Sequence, residues 1–263
     1  MADLAIDGGP KAVQIDFAEA WPKMGRAEMD AVASLMRSGE LSIGRGRGVI
    51  GELEAKARAY FDVPYALAQN NGTSTLHAAY FGAGVEPGDE VIVPAYTWLA
   101  TVTPILALNA IPVFCEIDPH SLTVDPADVE RRITPQTKAI AVVHTWGNVV
   151  DMDPLLDVAR RHGLAVVEDA SHAHGATYKG RKVGTLGDAG CFSMQASKVL
   201  PSGEGGLIVT RNPRVFDRIV ALGHQGRIEN TLVGEEYHDL YTGFGFKYRP
   251  HPLAVAIANE QLD

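Results

Sequence analysis

From residue 65 onward two hydrophobic patterns take turns along the chain. Short runs rich in Val, Ile and Ala carry almost no polar interruption: YALAQNN, IPVFCEID, KAIAVVHTW and LAVVEDA, with PGDEVIVPAY joining a turn to a similar run. Runs of this kind read as strands buried on both faces. Between them lie stretches with helical character: GTSTLHAAYFGAGV, TWLATVTPILALNA, residues 126–133 and DPLLDVARRHG. Strands separated by helices predict a parallel sheet covered on both faces. Two later strands, DAGCFSM and GGLIVT, follow each other closely, which leaves room for a local antiparallel pairing.

The flanks are helical. AEMDAVASLMRSGE (27–40) sets Met29, Val32, Leu35 and Met36 on one face, and SIGRGRGVIGELEAKARAYFDV reads as a glycine-rich loop opening into a second helix. YRPHPLAVAIANEQLD is again helical, with no glycine or asparagine cap after its last apolar residue. The expected architecture is α/β. One large three-layer α/β/α domain spans 1–263, with a mostly parallel central sheet and an N-terminal helical segment. The sequence stops inside the helix at 250–263, as a domain cut from a longer protein would. No internal repeat or Pro/Gly/Ser linker divides it.

Composition narrows the partners. The 263 residues are 46% hydrophobic and 21% charged, enough for a sizeable core. A net charge of −9 argues against non-specific nucleic-acid binding and against an anionic membrane surface, but not against a local phosphate pocket. No apolar run approaches the roughly 20 residues of a membrane span. MADLAIDGGPKAV has no basic flank followed by an apolar core, so no signal peptide is expected. Cys115 and Cys191 lie in strand-like runs and read as reduced core residues, which fits a cytoplasmic protein.

In open parallel sheets ligands collect beyond the carboxyl ends of strands. Gly72, Thr73 and Ser74 stand at one such strand-to-helix junction, where N–H groups and two hydroxyls suit a phosphate; N-capping by Thr73 or Ser74 explains them equally well. Trp98 follows a strand end, either to stack on a flat ring or to fill the core under a loop. Glu168 and Asp169 close an apolar strand, where an acid needs a cation or a hydrogen-bond network unless it caps a helix or pairs at the surface. His172 and His174 have a spacing that suits chelation, but no carboxylate or thiolate set completes a metal site, and none is expected. GRGVIG (46–51) matches G-x-G-x-x-G without a preceding buried strand or a following ribose-binding acid, so it reads as a flexible loop. VLPSGEGG is no P-loop, because its lysine precedes the glycines.

CFSMQASKVLPSGEGG (191–206) puts Lys198 among small polar residues, after what reads as a buried strand end. A lysine at the mouth of a strand suits a nucleophile. Taken in order, the phosphate-binding junction, the aromatic, the strand-end acid and the lysine meet the four demands of pyridoxal phosphate (PLP). Its aldehyde needs an amine, its ring nitrogen a carboxylate, its ring a flat face and its phosphate donors.

These blocks also resemble a known family. NNGTSTLHAAY, GDEVIVPAYTWLAT, PVFCEID, VVEDASHAHGATYKGRKVGTLGDAGCFSMQASK and GEGGLIVT are similar to the DegT/DnrJ/EryC1/StrS sugar aminotransferases, fold type I PLP enzymes. The resemblance implies that Lys198 bonds the cofactor aldehyde, Asp169 partners the ring nitrogen, Trp98 stacks on the ring and His172 lies close to it. Thr73, Ser74 and Ser193 would bind the phosphate, with Ser193 just before the lysine on its strand. GFKYRP is similar to a segment that reaches a neighbouring subunit's cofactor phosphate, where many members carry Asn in place of Lys247. By the same resemblance a smaller C-terminal domain would follow, and a homodimer would share its active sites.

The implied reaction moves an amino group from glutamate or glutamine to a nucleotide-linked keto sugar or a keto cyclitol. FSMQASKVLPSGEGG and KYRPHPLA resemble members acting on inosose-type ketones. Two other readings remain: a PLP-dependent sugar dehydratase, deoxygenase or aminoshikimate-type (3-amino-5-hydroxybenzoate) synthase, and a non-catalytic domain that retains the sheet. The intact set of Lys198, Asp169 and Ser193 argues against the last.

Overall fold

The computed structural model describes residues 3–12, 21–44, 46–224, 226–237, 239 and 243–262. Among the described residues nine strands form: β1 (Tyr65–Gln69), β2 (Glu90–Pro94), β3 (Ile111–Cys115), β4 (Thr137–Val143), β5 (Ala165–Asp169), β6 (Thr177–Tyr178), β7 (Arg181–Lys182), β8 (Ala189–Ser193) and β9 (Gly206–Thr210). Seven build one sheet in the order β1-β9-β8-β5-β4-β2-β3, while β6 and β7 make a separate small ribbon. Every pairing from β3 across to β8 is parallel. Strand β9 alone runs the other way, antiparallel to both β8 and β1. The close spacing of the two late strands is therefore a hairpin-like return rather than a crossover.

Side-chain alternation with period two splits the apolar residues between two cores. Ala66, Ala68, Ile92, Ile140, Val142, Val166 and Phe192 face one; Leu67, Val91, Val93, Ala141, Val167 and Cys191 face the other. Helices α2 (Gly48–Phe61), α6 (Met152–His162) and α9 (Pro252–Gln261) close the first core through Leu53, Leu155 and Val255. Helices α3 (Gly72–Gly82), α4 (Leu99–Ala107) and α7 (Pro213–Gly223) close the second through Leu76, Ile105 and Ile219. The result is the expected three-layer α/β/α arrangement. Remaining helices are α1 (Arg26–Ser38), α5 (Pro126–Arg131) and the short α8 (Ile228–Thr231). Cys115 and Cys191 are buried free thiols.

One helical face is only partly covered, and one sequence expectation needs correction. On α1, Leu35 is buried, but Met29 and Met36 stay exposed and the buried partner is Glu28. Glu28 caps the helix's own start by accepting the Gly25 N–H at 2.8 Å, and it meets α9 by accepting a bond from Gln261. Apolar periodicity marks a face without saying whether anything covers it. GRGVIG is not a flexible loop throughout, because Gly48–Gly51 form the first turn of α2. Gly46 precedes it with φ +61°, a conformation glycine adopts without strain.

Candidate active site

The carboxyl ends of the parallel strands converge on a cavity of about 690 Å³. Its first wall is the start of α3. Asn71, not Thr73 or Ser74, caps that helix, its side chain accepting the Ser74 N–H at 2.7 Å. Gly72 lies so close to the end of β8 that an added Cβ would sit 2.8 Å from the Ser193 Cβ. Only glycine lets this helix start approach the strand. Gly206 allows a similar approach from β9, where a Cβ would meet the Asn71 carbonyl oxygen at 2.3 Å. Asn71, Gly72, Thr73 and Ser193 consequently line one end of the cavity. Ser74 does not. It donates its hydroxyl to the Asn71 carbonyl at 2.7 Å and lines an adjoining hollow of about 480 Å³ with His77 and Tyr248.

The pair at the end of β5 divides by the same alternation that sorts the cores. Glu168 points away from the cavity and is completely buried, accepting the N–H groups of Gly184, Leu186 and Gly187 at 2.7 Å each. Asp169 lines the cavity and is 6% exposed. Its Oδ2 accepts the Thr101 hydroxyl at 2.7 Å and its Oδ1 the Ser171 N–H at 3.2 Å.

Lys198 sits five residues beyond the end of β8 rather than at the strand mouth itself. It belongs to the loop between β8 and β9, closed by bonds from Met194 N to Gly205 O and from Ala196 N to Gly203 O. The half-buried Lys198 reaches the same cavity as Asp169. Burial pushes its ammonium below the ordinary lysine value, and the Asp169 charge opposes the shift. A greater share of neutral amine follows.

Trp98 lines the cavity at 71% exposure, so it is no core aromatic. Trp146, which the sequence reading missed, lines it too, in a left-handed conformation (φ 52°, ψ 28°) that is uncommon for a large side chain. Its backbone N–H donates to the His172 Nδ1 at 3.5 Å. His172 lines the cavity; burial lowers its imidazole, with the Lys198 charge adding and the Asp169 charge opposing. Thr97, Gln195 and Glu204 also line it without having been singled out from sequence. Gln195 and Glu204 fall inside the block around Lys198 and were within reach of that signal. Trp146 closes the strand-like run KAIAVVHTW, so the strand-end signal that marked Trp98 could have marked it too. Lys247 is exposed, bridged through its backbone to His224, and is not among the cavity residues.

His174 does not join His172 on the cavity wall. Its ring packs against Phe192 with centroids 5.3 Å apart, and both nitrogens are buried without a partner among the described residues. No group of three His, Cys, Asp or Glu among the described residues could hold a metal ion. Burial lowers the His174 imidazole from 6.5 to about 4. The neutral ring is kept in the fold, whereas the unfolded chain protonates below 6.5. This contribution to stability is complete above 6.5 and is lost as pH falls towards 4, by at most about 3 kcal/mol. Denaturant titrations at pH 7 and pH 4 should show a smaller loss in His174→Phe than in the wild type by roughly that amount. Equal losses would refute the assignment.

Comparison with known proteins adds identity to this geometry. Residues 22–263 match the model of the DegT/DnrJ/EryC1/StrS aminotransferase family. Over 231 residues the chain is 46% identical to the L-glutamine:2-deoxy-scyllo-inosose aminotransferase of Streptomyces fradiae, covering 86% of this chain and 54% of that protein. The chain thus spans about half the length of the curated relatives it matches. An aminotransferase from Psychrobacter cryohalolentis superimposes with a TM-score of 0.85 at 31% identity, over 93% of this chain and 63% of that one. The PLP form of Spr1654 from Streptococcus pneumoniae does so at 0.82 and 29% identity, over 93% and 65%. No described helix is long and apolar enough to cross a membrane. With the family model matched across nearly all of the sheet and the cavity it carries, the chain belongs to the DegT/DnrJ/EryC1/StrS aminotransferase family.

Proposed function

We propose that this chain supplies the PLP-binding part of an aminotransferase that carries an amino group from L-glutamine to an inosose-type keto cyclitol. The observation that carries the reading is the meeting of Lys198 and Asp169 in one cavity at the strand ends. Similarity to an L-glutamine:2-deoxy-scyllo-inosose aminotransferase supports the donor and the acceptor class.

The residues present fit the cofactor. The Gly72–Ser193 approach leaves helix N–H groups and the Ser193 hydroxyl beside the cavity, which suits a phosphate. Trp98 offers a ring face, Asp169 a carboxylate and Lys198 an amine. When bound, PLP supplies an aldehyde that takes up the amino group and a ring that withdraws electrons from the reacting carbon. Asp169 would hold the ring nitrogen by a charge-assisted hydrogen bond. Lys198, favoured as neutral amine by burial, would hold the cofactor at its aldehyde and be freed when the donor binds. Its freed Nζ then takes the proton from the donor's α-carbon, and in the second half-reaction returns one to the carbon of the cyclitol that becomes the amine carbon. His172, beside Trp146, lines the wall near the ring. Thr73 and Ser193 serve the phosphate; Ser74 acts indirectly, through Asn71. A second copy of the chain would complete the site through its GFKYRP segment.

Titration of the PLP-loaded protein with L-glutamine tests this reading. The visible cofactor band should convert, and scyllo-inosose or 2-deoxy-scyllo-inosose should restore it with release of the aminated cyclitol. No conversion by glutamine or glutamate would sink amino transfer. Restoration by nucleotide keto sugars alone would sink the cyclitol assignment, and loss of water without amination would favour the dehydratase reading.

A further inference from the structure

Asp169 is held by more than its place on β5. Its Oδ2 lies 2.7 Å from the hydroxyl of Thr101, a completely buried residue in the first turn of α4. The Thr101 hydroxyl lies in turn 2.8 Å from that of Thr97, which lines the cavity. Distance alone leaves the direction of this second bond open, but proton counting decides it. An ionised carboxylate only accepts, so the single Thr101 proton goes to Asp169. Thr97 must then donate to Thr101. The result is a one-way chain, Thr97 to Thr101 to Asp169, running from the cavity wall to the carboxylate.

The backbone of Thr101 is pinned as well. Its carbonyl accepts the hydroxyl of Tyr80, another completely buried residue, at 2.8 Å. Its N–H donates to the Trp98 carbonyl at 3.0 Å. Threonine in a helix commonly turns its hydroxyl back to a carbonyl of the preceding turn. Here the hydroxyl is spent on a side chain 68 residues away instead. The other carboxylate oxygen has only the longer contact to the Ser171 N–H, at 3.2 Å. One oxygen is thus fastened from behind and the other is left to take a protonated nitrogen.

We infer that Thr101, oriented by Thr97, is a positioning residue that fixes the plane of the Asp169 carboxylate for the cofactor ring. The inference rests on the proposed PLP site. Threonine to valine conserves shape and removes only the hydroxyl, and threonine to serine keeps it. Two measurements separate the possibilities: the Asp169 orientation in crystals of the cofactor-free protein, and the PLP dissociation constant from equilibrium dialysis. In T101V the carboxylate should rotate away from its wild-type plane and PLP should bind about 10-fold more weakly, as for loss of a hydrogen bond to a charged group. T101S should stay within about twofold of the wild type on the same scale. T97V, cutting the chain one link earlier, should weaken PLP about threefold. An unmoved carboxylate or an unchanged PLP affinity in T101V overturns the inference. So does a T101S defect as large as that of T101V. If T101V fails to fold, T97V and T101S decide by the same criteria. If the wild type binds no PLP, the proposed function falls, while the carboxylate orientation in the cofactor-free variants still tests the positioning role.

Discussion

Lys198→Ala is expected to abolish amino transfer, lowering turnover by about a thousandfold or more, because general acid–base catalysis alone contributes about 10²–10⁴-fold. The side chain is assigned two tasks that no neighbour can share, bonding the aldehyde and moving the proton at the reacting carbon. Among the described residues lining the cavity it is the only lysine or arginine. Lys198→Arg should fail as well, because a guanidinium stays protonated and cannot act as a base. Neither variant should unfold the protein, since the half-buried Lys198 side chain has no hydrogen-bond partner on which the fold depends among the described residues. Borohydride treatment of the wild type followed by peptide mapping should place the reduced cofactor on the peptide containing Lys198. Undiminished transamination in Lys198→Ala, or a label on another lysine, would end this account.

The second large effect concerns stability. Glu168→Ala should destabilise the fold by about 3–5 kcal/mol, the range for breaking a buried charged network. Glu168 gathers three backbone N–H groups of the 184–187 loop with one carboxylate. The fully buried His144 adds a fourth donor at 3.1 Å. Because Val150 N–H donates to the His144 Nδ1, the ring proton sits on Nε2 and points at Glu168. Alanine would leave all four donors buried and unsatisfied. The loop's glycines let it pack closely on the strands beneath it. A Cβ at Gly184 would come within 2.4 Å of the Phe192 ring, and one at Gly187 within 2.6 Å of the Val166 carbonyl oxygen. Denaturant titration of the cofactor-free protein reads the loss as a fall in midpoint at unchanged slope. A change below about 1 kcal/mol, the usual size for a surface substitution or a single neutral hydrogen bond, would show that the network contributes little.

Glu168 and Asp169 also show how far the sequence can be read. Both were visible as acids closing an apolar strand; the strand pattern alone left structural and chemical roles open for each, and the family resemblance assigned Asp169 to the cofactor ring nitrogen. The strand itself separates them, because adjacent residues face opposite sides of a sheet. Val166 packs in one core and Val167 in the other, so Glu168 and Asp169 had to diverge. That distinction was legible in principle. The capping of α3 was harder. Asn71, Thr73 and Ser74 all have suitable side chains, and only the backbone path into the helix selects Asn71. Thr101 carried no local signal for its contact, since its partner lies on another strand.

Strand-end chemistry and the family resemblance marked the short set of residues able to serve a PLP site; local periodicity determined the order of strands and helices and the two-sided burial of the sheet. Those features follow from each residue's own neighbours in the chain, because burial repeats every two or every three to four positions. Only the tertiary structure decided which of these residues meet. It put Ser74 outside the cavity, carried Lys198 past the strand end on the β8–β9 loop, left Met29 and Met36 exposed and joined Thr97, Thr101 and Asp169. Contacts between distant segments depend on how closely backbones can approach, as at Gly72 and Gly206, and that distance is set by packing across the sheet rather than by any local pattern.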